Sequence, residues 1–250
     1  MEGYKLQEMR KITLITGAGR GIGLGIAKKF AQSRHDLVLV VRKRSQTKNL
    51  IDLKKKYRVN IKIFVGDLRN YNFINKLKKI PKVHNLINNA SGENTKTFTK
   101  VKKKELDDMV KINLIATFRI SQIFAEKMIK NKIKGCIIGL GSQLGHIGAY
   151  NRSIYCMTKF GLEGLTKSMA MDLGQHGIRV NTVSPTKTIV HKKELIKNKK
   201  RLNLIRSKIP LRKFSTIDEI ASIVHFLTTE SASSITGTSI MSDGGWTSGK

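Results

Sequence analysis

Ile12-Thr13-Leu14-Ile15-Thr16-Gly17-Ala18-Gly19-Arg20-Gly21-Ile22-Gly23 joins a short apolar run to a glycine-rich turn, and residues 22–33 continue with apolar side chains at helical spacing. Glycines let the backbone turn tightly and come close to a pyrophosphate, and a helix N-terminus offers unpaired N–H groups and a partial positive charge. A glycine turn alone is a weak signal. Between a buried strand and an amphipathic helix it is the context a dinucleotide site requires.

Outward from this stretch, apolar runs of strand length at residues 12–15, 37–41, 61–65, 85–88, 136–140, 179–183 and 239–241 alternate with segments of helical period at 22–33, 46–57, 71–80, 102–130, 153–175 and 217–229. Strands that are apolar throughout are buried on both faces, which places helices on both sides of a mostly parallel sheet. The expectation is an α/β fold: a doubly wound Rossmann sheet of about seven strands in three α/β/α layers. No repeat, linker or composition break divides the chain, so residues 1–250 read as a single domain with a basic insertion at about 186–214.

The second strand ends Val40-Val41-Arg42-Lys43-Arg44. A dinucleotide lacking a 2′-phosphate is usually met there by Asp or Glu on the ribose hydroxyl. With no carboxylate available, Arg42, Arg44 and Arg20 are placed to pair with a 2′-phosphate, and NADP(H) is expected rather than NAD.

The formal charge is +31, from 48 Lys and Arg against 17 Asp and Glu. Such a balance raises nucleic acid as a partner. The lysines, however, are spread through nearly every polar segment, as compositional bias on solvated faces would produce. Salt-dependent nucleic-acid binding from charge alone is expected; a sequence-specific nucleic-acid partner and a membrane partner are not. The two cysteines, Cys136 and Cys156, lack metal-ligand spacing and read as reduced and structural, and no metal site is expected. Residues 1–11 are polar and charged without an apolar core, so a secretory leader is not expected and the cytoplasm is the expected compartment.

Tyr155 and Lys159 stand at i and i+4 in a helical segment, so both project from one face a turn apart. A neighbouring ammonium favours phenolate and is expected to draw the phenol down from its ordinary value near 10. Ser142 follows the strand at 136–140, at the carboxyl edge where doubly wound sheets place their ligands.

With these in place, the chain resembles the short-chain dehydrogenase/reductase family over nearly its whole length. The resemblance rests on Thr16 to Gly23, Asp67-Leu68, Asn88-Asn89-Ala90, Asn113 in Lys111-Ile112-Asn113-Leu114, the set Ser142, Tyr155 and Lys159, the stretch Asn181 to Pro185, and Asp243-Gly244-Gly245. It implies catalytic roles for Asn113, Ser142, Tyr155 and Lys159. It also implies coenzyme contacts from Gly17, Gly19, Arg20, Gly21, Ile22, Gly23, Arg42, Asp67, Leu68, Asn89, Ala90, Tyr155, Lys159, Pro185 and Thr188. Hydride would pass between the nicotinamide and a carbonyl carbon as Tyr155 exchanges a proton with the oxygen, Ser142 steadies that oxygen, and Asn113 holds a water in a relay. Substrate contacts are expected from Ser142, His146, Tyr150 and Tyr155. Where the family usually has Gly, this chain has Thr186 after Pro185 and Ser91 before Gly92, which bears on the substrate pocket; Pro-Thr occurs among sugar and carbonyl reductases of the family.

From Lys187 to Lys213 there are eleven Lys or Arg and one acid, Glu194, against about five cations at the chain-wide frequency. In the resembled family this segment covers the substrate, so the excess points to an anionic or carrier-bound carbonyl or alcohol, a 3-oxoacyl thioester first and a sugar, polyol or sugar acid as alternative. A solvated charged helix explains the excess equally well. A cofactor-bound scaffold or nucleic-acid binder is the non-enzyme alternative; an intact Tyr155, Lys159, Ser142 and Asn113 set argues against it.

The resemblance also implies a homotetramer or dimer, through the helices at 102–130 and 153–175. At +31 per subunit repulsion goes unscreened as the Debye length grows, so sedimentation velocity should show such an assembly loosening as sodium chloride is lowered from 300 to roughly 20 mM; tightening at low salt would contradict this.

Overall fold

The computed structural model describes residues 10–189 and 199–249. Seven parallel strands, β1 (Ile12–Thr16), β2 (Asp36–Val41), β3 (Ile61–Val65), β4 (Asn85–Asn88), β5 (Cys136–Leu140), β6 (Arg179–Pro185) and β7 (Ser239–Ser242), form one sheet in the order β3-β2-β1-β4-β5-β6-β7. The order reverses between β1 and β4, the crevice in which a doubly wound sheet binds ligands. The helices are α1 (Gly21–Gln32), α2 (Lys48–Tyr57), α3 (Tyr71–Lys76), α4 (Lys103–Val110), α5 (Ala116–Lys130), α6 (Ser153–Gly174), α7 (Lys199–Ser207) and α8 (Ile217–Phe226).

Neighbouring strand residues point to opposite faces and so feed two cores. Ile15, Leu39, Ile87 and Ile138 pack with Ile26 and Phe30 of α1 and Ile220 and Val224 of α8. Leu14, Val38, Leu86 and Ile137 pack with Ile120, Phe124 and Met128 of α5. The edge strands depart from the expected uniform burial: β3 is partly exposed and β7 half-buried, because each has a strand on one side only.

The long helical segment at 102–130 is not one helix. A π-helical turn at Lys111–Ile115 separates α4 from α5, and Asn113 sits within it. Leu77–Lys79 likewise close α3 as a tighter 3₁₀ turn. Of the basic insertion, α7 and the following loop rest on a small cluster of Leu202, Ile209 and Phe214 with Ile189, Ile205 and Trp246, whereas 190–198 lie outside the described residues, His191 to Glu194 and Lys197 among them. Both cysteines are free thiols. Burial pushes the Cys136 thiol up to about 12, which leaves it unreactive, as a packing residue should be.

At the amino edge of the sheet, away from the crevice, His35 and His225 both pack edge-on against Phe30, with ring centroids 5.1 and 5.2 Å away. His84 Nδ1 accepts the Ile12 N–H at 2.9 Å. Burial lowers all three imidazoles, His35 to about 4 with further help from His225 and Lys11. A folded-state value below the unfolded 6.5 means that the unfolded chain binds more protons as pH falls. The His35 contribution is therefore present above pH 6.5 and is lost between 6.5 and about 4, amounting to roughly 2–3 kcal/mol. Urea unfolding at pH 7 and 4.5 should show this loss, and His35→Gln should flatten it; an unchanged slope in the variant would refute the assignment.

Candidate active site

The glycine turn has the shape the sequence requires. Gly17 and Gly21 take the left-handed conformation at φ +66 and +53. A Cβ on Gly23 would strike the Gly17 carbonyl oxygen, and one on Gly19 would lie 2.6 Å from Gln46 Cβ. The turn is fixed across the switch point by Thr16, whose hydroxyl accepts the Asn89 and Ala90 N–H groups, both at 3.0 Å. Asn89 Nδ2 returns two bonds, to the carbonyls of Thr16 and Gly17, at 2.9 and 3.1 Å. Asn88 bonds Ser121 of α5 instead, at 2.9 Å.

These loops wall a cavity of about 500 Å³. Gly17, Arg20, Gly21, Ile22, Gly23, Arg42, Asp67, Leu68, Asn89, Ala90 and Tyr155 line it, together with Ser91, and with Gln46 and Glu93, which the sequence did not single out. The cavity and its glycine cradle fit a dinucleotide: a glycine turn at the N-terminus of α1 and two arginines, Arg20 and Arg42, line it. Asp67 is engaged by Arg69, whose Nη2 donates to it at 2.7 Å; that bond holds its carboxyl below the usual range.

Tyr155, Lys159 and Ser142 converge at the same edge. Lys159 is 4% exposed, and its ammonium donates to the Leu140 carbonyl at the end of β5 at 2.6 Å and lies 5.5 Å from the Tyr155 ring centroid. Ser142 accepts the Leu144 N–H at 3.2 Å, which leaves its own hydrogen for donation. The expected depression of the phenol is not what the structure shows. Burial pushes Tyr155 up to about 12, with the Ser142 hydroxyl opposing. Burial also lowers Lys159 to about 8, with Glu163 opposing. Desolvation outweighs the pairing because Lys159 is buried and most of the Tyr155 ring is covered where it borders the cavity.

Asn113 is buried with all its side-chain capacity used. Oδ1 accepts from the Gly92 N–H at 2.8 Å and the Ser91 hydroxyl at 3.1 Å, while Nδ2 donates to the Gly92 carbonyl at 3.1 Å and Thr158 Oγ1 at 2.9 Å. Ser91, where the family usually has Gly, thus braces Asn113, and the residue sews the loop after β4 to α6.

Two expected substrate residues lie elsewhere. Tyr150 is 99% exposed on the loop before α6. The His146 ring turns toward Glu163 and Ser239 rather than toward the cavity, with Nε2 3.4 and 3.2 Å from them. Pro185 ends β6, and Thr188 is buried, its hydroxyl donating to the Thr186 carbonyl at 3.3 Å; neither lines the 500 Å³ cavity. Glu163, buried one turn beyond Lys159, escaped the sequence reading, since a carboxylate on a helix normally faces solvent.

A short-chain dehydrogenase family model described as enoyl-(acyl carrier protein) reductase matches residues 17–247. The chain belongs to the short-chain dehydrogenase/reductase family. As a member it is an oxidoreductase of alcohol or carbonyl groups, and its relatives use nicotinamide coenzymes. It is 34% identical to the 3-oxoacyl-(acyl-carrier-protein) reductase FabG of Buchnera aphidicola subsp. Baizongia pistaciae, covering 96% of this chain and 98% of that one. It is 31% identical to the L-xylulose reductase of Bos taurus, covering 93% and 95%. A 4-hydroxyisoleucine dehydrogenase complexed with NADH superposes with a TM-score of 0.88 at 31% identity, covering 96% and 100%. No helix among the described residues is long and apolar enough to cross a membrane, and no metal-binding cluster is found among them.

Thr16→Val keeps shape and removes the acceptor of two N–H groups. It should destabilise the protein by about 2–4 kcal/mol in urea unfolding and weaken coenzyme binding; a loss below roughly 0.5 kcal/mol would show the switch-point tie to be dispensable.

Proposed function

We propose that this chain is an NADP(H)-dependent reductase of carbonyl compounds, with 3-oxoacyl thioesters as its first substrate class, working as a single domain over residues 1–250. The observation that carries the reading is Tyr155 on the wall of the dinucleotide-sized cavity, with Ser142 at its hydroxyl and Lys159 buried behind it. A nicotinamide dinucleotide bound there supplies or accepts the hydride. The glycine turn, Arg20, Arg42, Asp67, Leu68, Asn89 and Ala90 would hold it from the cavity walls, with Lys159, Pro185 and Thr188 on the reacting side. NADP is favoured over NAD because Arg42, directly after β2, lines the cavity and no carboxylate stands at the end of that strand.

Held up at about 12 by burial, Tyr155 is a neutral phenol at pH 7, the form that gives a proton to a carbonyl oxygen. Ser142 adds a second donor to the same oxygen. Lys159, at about 8, is mostly ammonium at pH 7, and its field lowers the cost of the phenolate left behind. Asn113 keeps the loop after β4 and α6 in register, so that any water of a relay would meet its backbone rather than its saturated side chain.

A second reading, a sugar or polyol dehydrogenase, is favoured by Thr186, whose buried hydroxyl has no partner among the described residues and is of a kind a polyhydroxylated substrate satisfies. An anionic or carrier-bound substrate is supported by a cavity of about 390 Å³ on the basic segment, lined by Arg206, Arg212 and Lys213. A homotetramer or dimer is supported by exposed Leu106, Ile115, Phe118, Met157 and Phe160 on α4 to α6. Cytoplasmic residence and the absence of a specific nucleic-acid or membrane partner complete the reading.

The test is oxidation of NADPH, and of NADH at equal concentration, with acetoacetyl-coenzyme A and with L-xylulose, in wild-type protein and Tyr155→Phe. We expect turnover with NADPH that falls by about 10²- to 10⁴-fold in the variant while NADPH binding persists. Silence toward both substrates, or equal turnover by the variant, would overturn the proposal.

A further inference from the structure

The face of α6 that carries Tyr155 and Lys159 continues one turn further to Glu163, and the arrangement around that residue is built rather than incidental. Glu163 is 8% exposed. Its Oε2 accepts from Thr182 at 2.6 Å and its Oε1 from Ser184 at 3.0 Å, both on β6. Ser239 of β7 and His146 of the Ser142 loop approach Oε1, each at 3.4 Å. Two glycines of that loop exist in the space this turn of helix leaves. A Cβ on Gly141 would lie 2.6 Å from Glu163 Oε1, and one on Gly145 would lie 3.3 Å from Glu163 Cγ and 3.0 Å from the Lys159 carbonyl. The backbone bearing Ser142 is therefore moulded over the Lys159–Glu163 turn.

A buried carboxylate is costly unless hydrogen-bonded or paired. Three hydroxyls and an imidazole meet the first condition, and a glutamine amide would keep the volume and, with one hydroxyl turned to accept, the hydrogen bonds, without a charge. What the charge adds is a field, and the buried cation one turn away is Lys159. Other ionisable groups face this region from each packed element: Tyr155 and Cys156 on α6, Arg152 at its start, Glu93 from the loop after β4, and His146 from the loop after β5. Beside them all, Glu163 is the group that offsets the desolvation of Lys159.

We propose that Glu163 is a positioning residue of the proton-transfer site: its buried carboxylate sustains the Lys159 ammonium, and its seat beneath Gly141 and Gly145 holds the Ser142 loop against α6. The role rests on the Tyr155–Lys159 reading above, and it predicts that the charge, not the volume, of residue 163 matters.

The experiment follows Lys159 itself and needs no substrate. In full-length protein labelled with ¹³Cε-lysine, the resonance lost in Lys159→Arg is titrated in wild type, Glu163→Gln and Glu163→Asp. The midpoint should fall by about one unit in the glutamine variant and by less in the aspartate variant, which keeps the charge. A folded glutamine variant titrating as wild type does would overturn the proposal. Should that variant not fold, the wild-type protein decides. A Glu163 carboxyl carbon that stays in its ionised position from pH 6 to 9 supports the role, and a protonated one there overturns it. With acetoacetyl-coenzyme A or L-xylulose, the upper limb of kcat/KM against pH should move down by the same interval in Glu163→Gln, and an unmoved limb counts against the role. Wild-type silence toward both substrates would sink the reductase reading alone, leaving the Lys159 titration to judge Glu163.

Discussion

An ammonium taken out of water governs how this edge of the molecule is arranged. Lys159 is buried in α6 with a direct protein partner at the Leu140 carbonyl, and a charge so placed is tolerable only where dipoles and an opposite charge surround it. The end of β5 supplies the dipole and Glu163 supplies the charge. Because both must approach the same turn of helix, the connection from β5 to α6 has to lie flat on it, which is why Gly141 and Gly145 flank Ser142. The serine that meets the phenol is thus placed by the packing demands of the lysine.

The nucleotide side has a different economy. No buried charge is needed at the switch point, where one hydroxyl and one carboxamide do the joining. Thr16 accepts two N–H groups from the far side of the crevice, and Asn89 donates back to the turn. Backbone groups left over by the glycine turn then face the cavity, where arginines stand at its rim. Asn113 performs the equivalent service between the loop after β4 and α6, within a π turn that interrupts an otherwise continuous helix. Such an extra residue in a helix re-aims one side chain without disturbing the packing on either side.

Part of the positive charge of the chain is paired on the surface, away from the dinucleotide crevice. The acids of α4 are engaged by nearby cations, as in Lys103–Asp107, Lys104–Asp108 and Lys96–Glu105, all on the surface. Exposed pairs of this kind contribute little individually. The proposed chemistry rests instead on the few ionisable groups that the fold removes from solvent.

The alternation of apolar runs determined the doubly wound sheet, because buried parallel strands must be apolar on both faces and the helices between them must not. The same reading located the glycine turn, the missing acid after β2, and Tyr155, Lys159, Ser142 and Asn113, since those depend on local spacing and on position relative to a strand. Tertiary structure alone decided the rest. Burial reversed the expected direction of the Tyr155 shift, because desolvation depends on what covers a residue and not on its neighbour four positions away. His146 turned toward Glu163 and Ser239 of β7, and Tyr150 stayed in solvent on a loop that Asn151 and Arg152 tie to the segment after β4, contacts remote in sequence. Glu163 looked like one more solvated helix carboxylate until Thr182, Ser184 and Ser239 closed around it: periodicity records which face a residue occupies, and only the packed fold records what that face meets.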